Sequence, residues 1–272
     1  MSVSSGILSQ RKEHYETEGY WVERGFFLAE EMRQVKQAFM DMRDKGGVEG
    51  FYKPDLTPWD NVTSHSDPLA RFPRVMHPHK FMPIAKQYLM EPRIFDLLEE
   101  LMGEEALTAQ SMFYFKPPKA RGQAWHQDNF YLSVQPGTCI AAWIAVDASD
   151  EENGGLQVLP NTQKSVLQCP ETSDPSLSFV TEMVRLPEGA VPAKLKLNPG
   201  DVLFFNGNVI HGSTPNSSKD RMRRSLILHY VGKSCVELSK HYHPLLDRQG
   251  REVGRNVAEG GGPCGTEIAE PH

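Results

Sequence analysis

Trp125-His126-Gln127-Asp128 places one imidazole and one carboxylate two residues apart. On an extended strand, side chains two apart share a face, so His126 and Asp128 would converge on one point. Far downstream, Asn208-Val209-Ile210-His211-Gly212-Ser213 offers a second histidine at the end of another expected strand. Two histidines and one carboxylate, with open positions opposite, form the facial ligand set of non-haem Fe(II) oxygenases. An H-x-D triplet is common, and its plain alternative is a polar pair on a solvated strand face. Two similar pairs, His77-Pro78-His79 and His241-Tyr242-His243-Pro244, sit beside prolines. Proline disfavours an interior strand, so these four are expected as surface loop histidines.

A second group could carry chemistry. Arg223 lies a short way past His211, in Asp220-Arg221-Met222-Arg223-Arg224-Ser225-Leu226-Ile227-Leu228-His229-Tyr230. On a strand, Arg223, Ser225, Ile227 and His229 share one face, and Arg224, Leu226, Leu228 and Tyr230 the other. One guanidinium then points inward, and its fork suits a carboxylate in a bidentate pair. Arg221 reads as a solvated loop residue, as do Lys116, Lys119 and Arg121 (an anionic substrate is the alternative for these last three).

These residues need a scaffold. Helix patterns come first. A polar segment from about Ser9 to Glu18 ends at Gly19. Met32, Val35, Phe39 and Met42 recur at three- and four-residue steps within 29–43. Ile84 to Met102 is periodic, with Pro92 marking a break and Gly103 the end. Then the texture changes to short strands at 106–115, 138–148, 156–159, 193–197, 202–205 and 225–231, punctuated by Gly, Pro, Asn and Asp. Such a series indicates a sandwich or jelly roll, mainly β, with the N-terminal helices packed on an outer face of the sheet. The apolar run Cys139 to Val146 reads as a strand buried on both faces. Residues 46–79, rich in turn formers and carrying Phe51, Tyr52, Trp59 and Phe72, are too long for an ordinary connection and form a candidate lid. No linker divides the chain. One domain over 1–272 is expected, with helical support in 1–105, a jelly-roll core in 106–235 and a C-terminal extension in 236–272.

Composition narrows the classes. A 39% hydrophobic and 24% charged chain suits a soluble globular protein. A net charge of −6 speaks against a nucleic-acid partner. No stretch reaches the ~20 apolar residues that span a bilayer, and the N-terminus lacks a signal-type apolar run. Cys139, Cys169, Cys235 and Cys264 are scattered, which suggests four reduced thiols and a cytoplasmic setting. Oligomeric state has no visible signal.

Several stretches together resemble the phytanoyl-CoA dioxygenase family of Fe(II)/2-oxoglutarate oxygenases. They are Glu18-Gly19-Tyr20 to Phe26-Phe27, Gln110 to Pro118, Trp125 to Tyr131, Ala142 to Ala145, Asn153-Gly154-Gly155-Leu156, and His211-Gly212-Ser213 with Arg223. The resemblance implies a double-stranded β-helix, a cupin-like jelly roll. It implies His126, Asp128 and His211 as iron ligands, and Arg223 with Ser213 as the seat of the distal carboxylate of 2-oxoglutarate. Gln110, Thr138 and Trp143 follow as further cosubstrate contacts. Pro160-Asn161-Thr162-Gln163 stands where many relatives carry Pro-Gly-Ser-His, so no histidine role carries over there. The implied activity is hydroxylation of an unactivated C–H of a small molecule, using Fe(II), 2-oxoglutarate and O2 and releasing succinate and CO2. Desaturation, epoxidation and ring formation are variants of the same chemistry. A halogenase would carry a small residue in place of Asp128. A jelly-roll isomerase or hydrolase would have no use for Arg223, and a binding module would have a broken ligand set.

Overall fold

The computed structural model describes residues 2–45, 48, 74–259 and 263–265. Helix α1 (Ser2–Glu18) leads into strand β1 (Tyr20–Glu23), and α2 spans Ala29–Asp44. Met32, Val35, Phe39 and Met42 of α2 are all buried, so the apolar stripe is a core face. At its start the Glu31 carboxylate accepts the Leu28 N–H at 2.7 Å, satisfying a donor that the helix leaves open. The break at Pro92 is realised: α3 (Pro83–Leu89) ends, and α4 (Pro92–Met102) starts on that proline and stops at Gly103 with φ of 75°. Of the candidate lid, the 46–73 part lies outside the described residues apart from Val48. The part from Arg74 onward begins as sheet: strand β2 (Arg74–Met76) pairs with β3 (Ala106–Lys116).

The remaining strands are β4 (Gln123–His126), β5 (Cys139–Ala145), β6 (Leu156–Val158), β7 (Glu171–Thr172), β8 (Glu182–Met183), β9 (Ala193–Lys194), β10 (Val202–Asn206), β11 (His211–Ser213) and β12 (Arg223–Gly232), with short α5 (Asp128–Leu132) after β4. The C-terminal region adds β13 (Glu237–Leu238), β14 (Leu245–Leu246), β15 (Glu252–Val253) and β16 (Asn256–Val257). A large sheet runs in the order β1-β10-β5-β12-β3-β14-β15, with β2 also on β3, and a small one runs β4-β11-β6-β9. The strand pairs within both sheets are antiparallel. Two facing antiparallel sheets, with helices on the back of the larger, give the expected mainly β jelly roll.

The large sheet has two working faces. Ile140, Ala142 and Ile144 of β5, Phe113 and Phe115 of β3, and Leu226, Leu228 and Tyr230 of β12 join the helices in one apolar core. Ala141, Trp143 and Ala145, with Met112, Tyr114 and Ile227, face the small sheet. Strict alternation therefore explains why β5 reads as apolar throughout: both of its faces are covered. The C-terminal extension continues this sheet, since Leu246 of β14 pairs with Thr108 of β3. Within the Pro160–Gln163 segment, Thr162 Oγ1 donates to Leu159 O and accepts from Ile210 N at 3.0 Å, while Gln163 Nε2 donates to the last carbonyls of α1, Glu16 O and Thr17 O. That departure from the family pattern ties α1 to the approach to His211.

Two expectations need correction. Cys169 and Cys264 form a disulfide, and only Cys139 and Cys235 are free, both buried. The partners are 95 residues apart in sequence, so spacing gives no sign of the pair. His77 and His79 are not surface residues. His77 is buried and His79 half-buried. His77 N donates to Ser111 O at 2.9 Å, carrying the β2–β3 ladder one residue on, and His79 Nδ1 meets Ser111 Oγ at 2.6 Å. Pro78 ends the strand, as proline should. It does so by opening a tight turn that folds both rings inward. His241 and His243 are likewise half-buried. Among the described residues no helix is long and apolar enough to cross a membrane.

Candidate metal centre

β4 delivers His126, and Gln127 remains extended with φ −124° and ψ 121°. Asp128 is the first residue of α5 rather than a strand residue. The convergence survives because the extended geometry lasts through Gln127. In the small sheet, His211 pairs directly with His126 across β4 and β11. His126 Nε2 and His211 Nε2 each lie 3.5 Å from Asp128 Oδ1. The ligand atoms of all three lie within 4.8 Å of one another, and all three side chains are buried.

The tautomers follow from the backbone. His126 Nδ1 meets Ala124 O at 2.8 Å and His211 Nδ1 meets Val209 O at 3.0 Å. A carbonyl only accepts, so each Nδ1 carries a hydrogen, and each Nε2 is the ring atom turned toward Asp128 Oδ1. Burial holds His211 down to about 4, with His126 adding to it. Burial would raise Asp128, but His211 and His229 outweigh it and hold the carboxyl well below its ordinary value. Two imidazoles and one carboxylate, buried together, form a donor set that suits a divalent cation such as Fe(II). Gln123 Nε2 also lies 3.1 Å from His126 Nε2.

His229 completes this end. Its Nε2 donates to Asp128 Oδ2 at 2.9 Å, leaving Oδ1 facing His126 and His211. Nothing local marks His229 as part of the centre. Its signal is parity with Arg223 on β12, two residues being one pleat.

The other end of the same pocket is cationic. Arg223, 3% exposed, lines it, and burial lowers its guanidinium to about 10. Nη1 donates to Ser225 Oγ at 3.0 Å, the guanidinium lies 5.4 Å over the Trp143 ring, and Nε has no partner. Among the described residues Arg223 makes no ion pair. Its neighbour Arg224 points the opposite way and pairs with Asp147 through two hydrogen bonds. A buried guanidinium with no carboxylate is costly, and an anionic ligand relieves it. Two further basic residues expected as solvated are in fact buried, Lys116 and Arg121. Arg121 donates to Pro175 O and Ser178 O, under the 171–183 hairpin.

His126, Asp128, His211, Ser213, Trp143 and Arg223 thus line one pocket between the sheets. Gln110 and Thr138 do not. Gln110 has the inward parity of Met112 and Tyr114 but lies beyond the pocket, beside His229 in register. Thr138 precedes β5 and bonds Cys139 O and Asn208 Oδ1 instead.

Residues 15–225 match the family described as Phytanoyl-CoA dioxygenase (PhyH). Phytanoyl-CoA dioxygenase 1 of Oryza sativa subsp. japonica is 27% identical over 219 residues, 79% of this chain and 76% of the relative. A probable alpha-ketoglutarate-dependent hypophosphite dioxygenase of Stutzerimonas stutzeri is 24% identical, over 85% of this chain and 81% of the relative. Among solved structures, the epimerase SnoN in complex with Fe3+, alpha ketoglutarate and nogalamycin RO superposes with a TM-score of 0.66 at 19% identity, covering 85% of this chain and 86% of that one.

Proposed function

The chain belongs to the phytanoyl-CoA dioxygenase family, a non-haem Fe(II)/2-oxoglutarate oxygenase by that membership, and we propose that it hydroxylates an unactivated C–H of a small-molecule metabolite. His126, Asp128 and His211 hold the iron. Arg223 seats the distal carboxylate of 2-oxoglutarate, with Ser213 and Trp143 beside it, and residues 1–272 act as one catalytic domain. The observation that carries this reading is Arg223: a buried guanidinium without an acidic partner, in the same pocket as a buried cation-binding triad.

Iron, 2-oxoglutarate and O2 together supply the C–H oxidation, with succinate and CO2 as by-products. The protein's part is placement. The Nδ1–H bonds to Ala124 O and Val209 O keep both imidazoles turned with Nε2 inward. His229 keeps one Asp128 oxygen occupied, so the carboxylate offers the other. Trp143, Leu156 and Phe205 give the pocket an apolar wall. Asp128 fills the position that a halogenase would leave to a small residue, which favours hydroxylation over halogenation.

Anaerobic protein with Fe(II) and 2-oxoglutarate should show a weak visible charge-transfer band. Asp128→Ala should abolish the band and lower substrate-dependent succinate formation by about two orders of magnitude or more. No band from the intact protein, or full activity in Asp128→Ala, would remove the reading. Succinate release across a panel of metabolites then identifies the substrate.

A further inference from the structure

We propose that Lys116 is a positioning residue for the cosubstrate: its buried ammonium holds the Ser213 hydroxyl with its hydrogen aimed at the distal carboxylate beside Arg223. This role rests on the proposed 2-oxoglutarate site and adds a residue to it.

Lys116 ends β3, is 1% exposed, and is the Cα partner of Arg223 on β12. It does not line the pocket. Its Nζ reaches three oxygens: Thr214 O at 2.6 Å, Ser213 Oγ at 2.9 Å and Gly154 O at 3.0 Å. An ammonium has three hydrogens, and these oxygens take all of them. The two carbonyls can only accept. Ser213 Oγ also accepts from Gln123 N at 3.2 Å. A hydroxyl has two lone pairs and one hydrogen. With both lone pairs engaged, the hydrogen is left to donate, and it has no acceptor among the described residues. Ser213 borders the pocket together with Arg223, whose Nε is also without a partner. Two unspent donors on one pocket wall match a carboxylate, which only accepts.

The room for the ammonium comes from the Asn153-Gly154 turn. Gly154 has φ of +71°, and a Cβ there would stand 2.9 Å from Lys116 Nζ and 2.6 Å from Thr214 O. Lys116 makes no ion pair among the described residues. Burial, and then the Arg223 guanidinium, push Lys116 well below the ordinary lysine value; the three oxygens around Nζ, two of them carbonyls that can only accept, are what hold its hydrogens.

The test uses the full chain with Fe(II) under anaerobic conditions, comparing wild type, Lys116→Met, Ser213→Ala and the double variant. The dissociation constant is measured for 2-oxoglutarate and for 2-oxopentanoate, which has the keto-acid end but no distal carboxylate. Each single variant should weaken 2-oxoglutarate on the order of tenfold. The double variant should weaken it no further than either alone, because both changes remove the same hydrogen bond. Affinity for 2-oxopentanoate should not move. Unchanged or tighter 2-oxoglutarate binding in Lys116→Met would overturn the role; it would mean that a neutral amine takes the serine's hydrogen. So would effects that multiply in the double variant, or equal weakening of both acids, the mark of a general structural defect. Lys116→Gln keeps one donor for Ser213 and should fall between wild type and Lys116→Met; it serves where the methionine variant does not fold. If wild type itself binds no 2-oxoglutarate, the cosubstrate reading falls and this role with it. If wild type binds and Lys116→Met binds equally well, only the role of Lys116 is lost.

Discussion

On its helix-covered side the large sheet presents Phe113, Phe115, Ile140, Ile144, Leu226 and Leu228. One residue along on the same strands, its other side presents Tyr114, Lys116, Trp143, Arg223 and His229. On the first face the ionisable groups of these strands are Tyr230, whose hydroxyl donates to Leu89 O, and Arg224 at the end of β12, whose guanidinium is paired with Asp147. The second face, with the small sheet opposite, buries an aspartate, three histidines, an arginine and a lysine. Period-two alternation lets one set of strands do both jobs. The apolar face gains free energy from burial, roughly 1.5–3 kcal/mol per large side chain. The polar face spends part of it on desolvated charge that iron and a dicarboxylate would balance.

That contrast can be broken from either side. The largest effect is expected on the apolar face. Phe113 is fully buried and stacks on Phe39 of α2 with ring centroids 3.7 Å apart. Phe113→Ala should lose about 3–5 kcal/mol in denaturant unfolding. The affinity of the remaining folded protein for 2-oxoglutarate should be unchanged; a parallel loss of affinity would show that the two faces are not independent. Arg223→Ala comes next, on the polar face. It should weaken 2-oxoglutarate by about 1.5–3 kcal/mol, roughly ten- to a hundredfold, with Fe(II) binding retained. Its unfolding free energy should hold or rise, because a desolvated charge has gone. A large loss of stability in Arg223→Ala would contradict the division of labour.

The effect that is smallest near neutral pH sharpens the comparison at the margin of the polar side, where His77 packs. Burial lowers His77 to about 3, helped by Lys80, His79, His241 and His229. His79 is lowered to about 4, again by burial first. A histidine with a depressed folded value is neutral in the folded protein while the unfolded chain takes up a proton below its ordinary value of 6.5. Stability is therefore full above that value and falls as the pH drops through it toward 4. Each such group contributes a slope of about 1.4 kcal/mol per pH unit in the window. His77→Asn should remove up to one proton's worth of that slope in melts between pH 6.5 and 4. Identical slopes in variant and wild type would mean that His77 is not held neutral.

How far the sequence reaches depends on how local each signal is. The helix breaks at Gly19, Pro92 and Gly103, the core stripe of α2, and the opposed directions of Arg223 and Arg224 are all readable, because φ/ψ limits and side-chain periodicity act within a few residues. His126 and Asp128 are readable for the same reason, although Asp128 sits on a helix turn and not on a strand. His77 and His79 escape such a reading because a neighbouring proline settles hydrogen-bonding capacity but not burial. Lys116 escapes it because nothing near it in sequence shows the three oxygens that Gly154, Ser213 and Thr214 bring around its Nζ.

Alone, the sequence determined the two-faced strands, the convergence of His126 with Asp128 and the inward guanidinium, since each depends on backbone geometry repeating every two or four residues. Only the tertiary structure decided that His229 backs Asp128, that Lys116 backs Ser213, and that Cys169 meets Cys264. Those pairs join segments roughly a hundred residues apart, and their contact depends on which strands become neighbours, a choice made by the whole core at once.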